Sequence, residues 1–330
     1  MDKRKDINRT RKMIVIVLLL LMVCAALITI SLLERRSRIE AEESYDDMIY
    51  QDEYVRVRYE NKWYRQNPKL ETMLLLGVDD FAEDGEKATK QSDFVMLIMM
   101  DKAKHEYRTL QLNRDTITDV PQLDMSGNEY DVKRQQLALS FAHSNNDSVS
   151  AKNTMKAVSN LLYGIDIDHY VYATMDIVPI INDLVGGVPV YVKDDFSNVD
   201  PSIVMGTEQV LHGDQALHFV RARKSMNEPT NLARMERQEE YIKSLHNQAI
   251  KKVDADNNFV FDTLLEISDY FGSDCSVTQL SDIFEFGLDC ERTDIIKTKG
   301  ETVVNNGYME FHVDEDALKE QVIELFFVEE

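Results

Sequence analysis

The chain has 330 residues, with 37 Lys and Arg against 59 Asp and Glu, giving a formal net charge of −22. A surface so acidic repels nucleic-acid phosphates, so no nucleic-acid partner is expected. Any anionic substrate must instead be held by a local basic cluster.

Six of the first twelve residues are Lys or Arg, and Met13 to Leu33, "MIVIVLLLLMVCAALITISLL", carries no charge. As a helix this run spans about 30 Å, the thickness of a bilayer core, and no small-x-small cleavage site follows it. The basic flank predicts a cytoplasmic tail over 1–12, a single-pass membrane anchor over 13–33 and an extracellular remainder. Residues 34–70, rich in Glu, Asp, Arg and Tyr, read as a partly helical stalk ending at Pro68. From residue 71 to 330 the texture alternates between strands and helices, which predicts one α/β domain with helices on both faces of a sheet. Strands are expected at 71–78, 93–101, 106–112, 169–175, 188–192 and 294–298. Helices are expected near 131–143, 150–163, 177–185, 213–221, 232–252, 259–271, 277–287 and 314–327.

The first three strands carry the first chemical signal. If sequence neighbours pair antiparallel, Asp79, Asp93 and Arg114 gather at one end of the sheet. Two carboxylates there suit a hard cation such as Mg²⁺, and an adjacent arginine suits phosphate. Strand ends also collect Asp simply as turn residues, and spacing leaves both readings open. Asp115, next to Arg114, reads as its hydrogen-bonding orienter or as a plain turn residue.

The second signal is "LHFVRARKSMNEPTNLARMERQEEYIKSL". Arg221 and Arg223 share a face only if the preceding helix has ended by about Arg221. Arg234, Gln238, Tyr241 and Leu245 form one stripe of the next helix, polar at its N-terminal end. Asn231 is the expected N-cap of that helix, whose start favours an anion. Solvated arginines on an ordinary amphipathic helix are the plainer alternative.

Smaller features read without chemistry. Cys275 and Cys290 flank a short helical stretch and could form a disulfide, or remain two buried thiols. His143, His169, His212 and His218 show no metal-ligand spacing, and His169 and His218 read as core or cleft residues. Gly186-Gly187 and Asn306-Gly307 read as turns, and residues 254–330 carry no signal beyond packing.

The ordered set "LLLGVDD", "SDFVMLIMMD", "LNRDT", "IDHYVYATMDIVPIINDLVGGVPVYV", "LHGDQALHFVRAR" and "LARMERQEEYI" resembles the LytR-CpsA-Psr family over about residues 71–250. The resemblance implies a mixed central β-sheet wrapped by helices, with a deep apolar pocket for a polyprenyl chain. It also implies an Mg²⁺-dependent phosphotransferase that moves anionic glycopolymers, of teichoic acid or capsular polysaccharide type, from undecaprenyl-diphosphate carriers to peptidoglycan. By position, Asp79 and Asp93 would hold Mg²⁺. Arg114, Arg221 and Arg223 would hold the diphosphate and serve catalysis with Asp115, and Arg234 and Gln238 would complete the polar floor. Two departures stand out. Asn231 replaces the Asp of the family's Gly-Asp-x-x-Arg element, so that carboxylate's role is missing or passes to Glu228. The family's Lys-Ile-Asn-Ala-Ala region is replaced by "QQLALSFAHSNND", which touches acceptor recognition. A polyprenyl-diphosphate hydrolase and a non-catalytic polymer-binding scaffold are the rival readings.

Overall fold

The fold is described from a computed structural model, which covers residues 55–60, 62–81, 87–223, 226, 230–256, 259–276, 279–280, 283, 286–287 and 290–330. The expected tail and membrane anchor, and residues 34–54 of the expected stalk, lie outside these residues.

The strands, in chain order, are β1 (Arg56–Tyr59), β2 (Lys62–Gln66), β3 (Leu70–Phe81), β4 (Lys87–Asp101), β5 (Glu106–Leu112), β6 (Ile117–Leu123), β7 (Glu129–Gln136), β8 (His169–Thr174), β9 (Val188–Tyr191), β10 (Glu208–Leu211), β11 (Phe271–Ser273), β12 (Glu291–Lys297), β13 (Gly300–Asn305), β14 (Tyr308–Val313) and β15 (Phe327–Glu329). The helices are α1 (Asp147–Leu161), α2 (Ile177–Leu184), α3 (Asp214–Arg221), α4 (Asn231–Val253), α5 (Phe259–Ile267) and α6 (Glu315–Phe326).

Six strands form the central sheet in the order β11-β8-β3-β4-β5-β12. The β3–β4, β4–β5 and β11–β8 pairs are antiparallel, whereas β3–β8 and β12–β5 are parallel. The sheet is therefore mixed. β3 and β4 are apolar at successive positions because both of their faces are covered. Met73, Leu75, Met96 and Ile98 point to one face, where Ile181, Phe219 and Tyr241 of α2, α3 and α4 pack on them. Leu74, Leu76, Val95 and Leu97 point to the other, against Leu137, Phe141, Val158 and Val322. The methionine-rich run 96–100 is thus core on both faces, where unbranched thioethers fill irregular gaps.

Two expectations need correction, and one open alternative closes. Residues 131–143, expected as helix, form β7 and a 3-10 helix over Leu137–His143. β7 pairs only with β6 and faces solvent along most of its length, so it has no alternating apolar face to mark it as a strand. Residues 56–66, expected as the end of a stalk, form the β1–β2 hairpin, and β15 pairs with β2. Cys275 and Cys290 are thiols rather than a disulfide. Cys290 Sγ lies 3.5 Å from His105 Nδ1, while Cys275 Sγ lies 3.9 Å from Asp274.

Candidate functional site

The Arg-Asp pair that ends β5 sits in a braced turn. The Thr116 N–H donates to the Asn113 carbonyl at 3.0 Å, and the Asn113 side chain accepts the Asp115 N–H at 3.0 Å. Asn at the start of a turn supplies this second bond without disturbing the backbone. The flanks are tied as well: Ala138 N–H to the Arg114 carbonyl at 2.9 Å, and Phe311 N–H to the Asp115 carbonyl at 2.8 Å. Arg114 and Asp115 are therefore fixed, and both are buried.

On β4, Phe94 pairs with Gly77 and Ser92 with Val78, which leaves Asp93 as the extra residue of a β-bulge. A bulge re-aims a side chain out of the regular pleat. The Asp93 carboxylate meets the Arg114 guanidinium through Oδ1 and Arg234 Nη1 through Oδ2 at 2.9 Å. Arg234 Nη2 also donates to the Asp93 carbonyl at 3.1 Å. Gln91, two residues back, accepts from the second Arg114 nitrogen.

Asp79, paired in register with Gln91, accepts Arg221 Nε at 2.5 Å. α3 ends at Arg221, and Ala222 is extended (φ −54°, ψ 132°), so the chain leaves the helix between the two arginines as the spacing requires. Arg223 then reaches Asp115 Oδ2 at 2.9 Å. Asp115 stands 3.5 Å from Arg114 Nε, beyond a good hydrogen bond, and its strong partner is Arg223. The expected role of orienting Arg114 falls instead to Asp93 and Gln91.

α4 supplies the floor. Its N-cap is Thr230, whose hydroxyl accepts the Ala233 N–H at 3.3 Å; Asn231, the expected cap, is the first helical residue. The Asn231 side chain instead donates to Asn113 at 2.7 Å and accepts from Arg234 Nε at 3.0 Å. Gln238 accepts from Gln111 at 3.0 Å and donates to the Val220 carbonyl. Further along the same stripe, Gln238, Tyr241 and Leu245 line an apolar cavity of about 110 Å³ between the sheet and helices α2 and α4. Gly77 and Phe94, beside bulged Asp93, also line it, so the cavity runs up to the charged cluster.

Four arginines and three aspartates thus converge here, leaving one net positive charge among the described residues. Burial pushes the Asp93 carboxyl up, but Arg114 and Arg234, helped by Arg223, outweigh it and hold the group below the usual carboxylate range. Because its folded pKa lies below the unfolded value near ~3.9, Asp93 contributes stability above that pH. The contribution fades as pH falls through the folded value. Denaturant midpoints are expected to be steady near neutrality and to fall below about pH 4, less steeply in Asp93→Asn than in the parent. Equal slopes would contradict this.

The residues that sequence reasoning missed are Gln91, Asn113, Gln111 and Gln136. Gln136 Nε2 joins Asp115 Oδ1 at 3.2 Å to the Met309 carbonyl at 2.6 Å. Only Gln91 left a trace, since a period of two puts it on Asp93's side of the strand.

Residues 35–326 match the model of the LytR_cpsA_psr family. The chain belongs to that family. An uncharacterised Staphylococcus aureus protein is 28% identical over 255 residues, 74% of this chain and 57% of its own length. The Bacillus anthracis polyisoprenyl-teichoic acid–peptidoglycan teichoic acid transferase TagU is 29% identical over 153 residues, 46% of this chain and 44% of its own. The chain thus spans about half the length of the curated relatives it matches. TagT, solved bound to LIIa-WTA, shares the fold at a TM-score of 0.59 and 20% identity, covering 78% of this chain and 89% of TagT.

Proposed function

We propose that this chain transfers an anionic glycopolymer from a polyprenyl-diphosphate carrier to peptidoglycan. The observation that carries the reading is the junction of an arginine cluster with an apolar cavity, which suits a ligand that is a diphosphate at one end and hydrocarbon at the other. Buried donors add support: Asn113 Nδ2 and Arg114 Nε have no hydrogen-bond partner among the described residues, and a phosphate oxygen would satisfy them. That TagU acts on teichoic acid and peptidoglycan, and that TagT was solved bound to LIIa-WTA, supports the polymer class.

In this reading Arg114, Arg221 and Arg223 hold the diphosphate while Arg234 and Gln238 fix the floor. A wall hydroxyl attacks the sugar-side phosphorus, the bond to the bridging oxygen breaks, polyprenyl phosphate leaves with that electron pair, and the hydroxyl's proton passes to the departing phosphate or to solvent. Such chemistry is mostly positioning and charge stabilisation, so fixed guanidiniums matter more than a strong nucleophile. Asp79 and Asp93 are hard oxygen donors of the kind Mg²⁺ takes, and one net positive charge falls short of a diphosphate diester's two negative charges; a cation would have to share these carboxylates with Arg221, Arg114 and Arg234, which hold them here. When bound, Mg²⁺ would polarise phosphoryl oxygens. The chain would be anchored by residues 13–33 with its domain outside the cell, within reach of a membrane-borne carrier.

Reconstitution in liposomes with a lipid-linked polymer and peptidoglycan tests the proposal. A Mg²⁺-dependent phosphodiester between polymer and glycan is expected. Released phosphorylated polymer would make the chain a hydrolase. Tight lipid binding without turnover would make it a scaffold, a reading that Asn231 favours because it removes a carboxylate and, among the described residues, its side chain bonds to Asn113 and Arg234.

Cavity filling gives a second check. Val178 lines the cavity and is partly buried, so Val178→Trp is expected to exclude chain carbons. Losing even two methylenes costs roughly 1.6 kcal/mol, or about tenfold in affinity. Polyprenyl-phosphate binding unchanged in that variant would mean the chain lies elsewhere.

A further inference from the structure

A second group of donors lies at the far end of the central sheet. His169 opens β8 and pairs with Met73 of β3; Asp79 lies six residues further along β3, roughly 20 Å away. β11 ends at Ser273 opposite Val171, which brings Asp274 and Cys275 against His169. His169 Nδ1 lies 3.2 Å from Asp274 Oδ2, and Cys275 Sγ lies 3.9 Å from Asp274 Oδ1. One ligand atom from each of the three residues falls within 4.8 Å of the others.

We propose that His169, Asp274 and Cys275 form a transition-metal site of the Zn²⁺ class, separate from the arginine centre. The donor chemistry selects the metal. An imidazole, a thiolate and a carboxylate suit Zn²⁺ and disfavour Mg²⁺ or Ca²⁺, which take oxygen. The spacing fits as well. Tetrahedral Zn²⁺ with bonds of about 2.0–2.3 Å sets neighbouring donors roughly 3.3–3.8 Å apart, against 3.2 Å from His169 to Asp274, 3.9 Å from Cys275 to Asp274 and at most 4.8 Å among one atom from each, so side-chain shifts of about 1 Å suffice. Three protein ligands leave a fourth position for water.

The donors are also held in place, as metal ligands are. Asp274 Oδ1 accepts the Tyr170 N–H at 3.1 Å. Ser273 Oγ accepts the Cys275 N–H at 3.0 Å and donates to the Tyr170 carbonyl at 2.8 Å. His169 Nε2 is buried with no hydrogen-bond partner among the described residues, and Nδ1 is the ring nitrogen that faces Asp274 and would coordinate. A cation here would staple β11, a three-residue edge strand, to β8. It would also shield a thiol from oxidation.

Co²⁺ titration of the full-length protein in detergent tests the site, since a Co²⁺–thiolate bond gives a charge-transfer band and tetrahedral Co²⁺ gives intense visible absorption. Both signals are expected at one Co²⁺ per chain and are reversed by Zn²⁺. Cys275→Ser should abolish the thiolate band, and His169→Gln should weaken binding by at least about tenfold. Cys290→Ser and Cys24→Ser, which alter the chain's two other thiols, should leave both signals intact. A parent protein without the band, or a band that survives in Cys275→Ser, would overturn the proposal. As a readout independent of variants, Zn²⁺ should slow alkylation of Cys275, mapped by mass spectrometry, in the parent chain; an unchanged rate would also overturn it.

Discussion

Arg114→Ala is expected to lower polymer transfer by at least about 10²-fold, the scale seen when one preorganised donor to developing charge is removed. The size follows from the turn around it. Arg114 is held by Asp93 and Gln91 and braced through its carbonyl by Ala138, so it meets the diphosphate without reorganising. Arg114→Lys keeps the charge but loses the planar fork, so it should recover only a small part of the rate. Steady-state transfer from a lipid-linked donor is the measurement. Activity within a few-fold of the parent in Arg114→Ala would remove this residue from the mechanism.

The largest effect on stability is expected at Arg234. It is only 3% exposed, and its guanidinium makes a fork: Nε and Nη2 to Asn231, Nη1 to the Asp93 carboxylate and Nη2 to the Asp93 carbonyl. Arg234→Ala removes one partner of a buried ion pair, which typically costs about 3–5 kcal/mol because the remaining charge stays buried. Here Asp93 keeps Arg114, which would draw the loss towards the lower end. Equilibrium denaturant unfolding checks it, and a loss under about 1 kcal/mol would show that the fork is not stabilising. Because Arg234 also fixes Asp93, binding should weaken in the same variant, whereas Arg114→Ala should weaken transfer more than it weakens the fold.

How much of this could be read from the sequence depends on whether a residue faced the core. Apolar runs in β3, β4 and β5 marked the three strands. Antiparallel pairing of neighbours then put Asp79, Asp93 and Arg114 at one end, as the register shows. Helical spacing aligned Arg234, Gln238, Tyr241 and Leu245, and all four are buried on one stripe. What escaped has a common cause. β7 and β13 face solvent along most of their length, so the core imposes no alternation on them. The bulge at Asp93 is a property of two strands in register, not of either one. The brace from Phe311 to Asp115 and the meeting of His169 with Asp274 each join residues more than 100 positions apart. Asn231 is subtler: its type suggested a cap, yet Thr230 one residue earlier takes that place and frees the amide to tie Arg234 to Asn113.

A crystal structure of the protein with a polyprenyl diphosphate would test most directly whether one headgroup is gripped by guanidiniums while its tail is buried beside them. The account predicts phosphate oxygens within hydrogen-bond distance of Arg114, Arg221 and Arg223, with the first isoprene units between α2 and α4 against Leu245 and Tyr241. Phosphates bound away from Arg114, or a hydrocarbon tail lying outside that cavity, would contradict it.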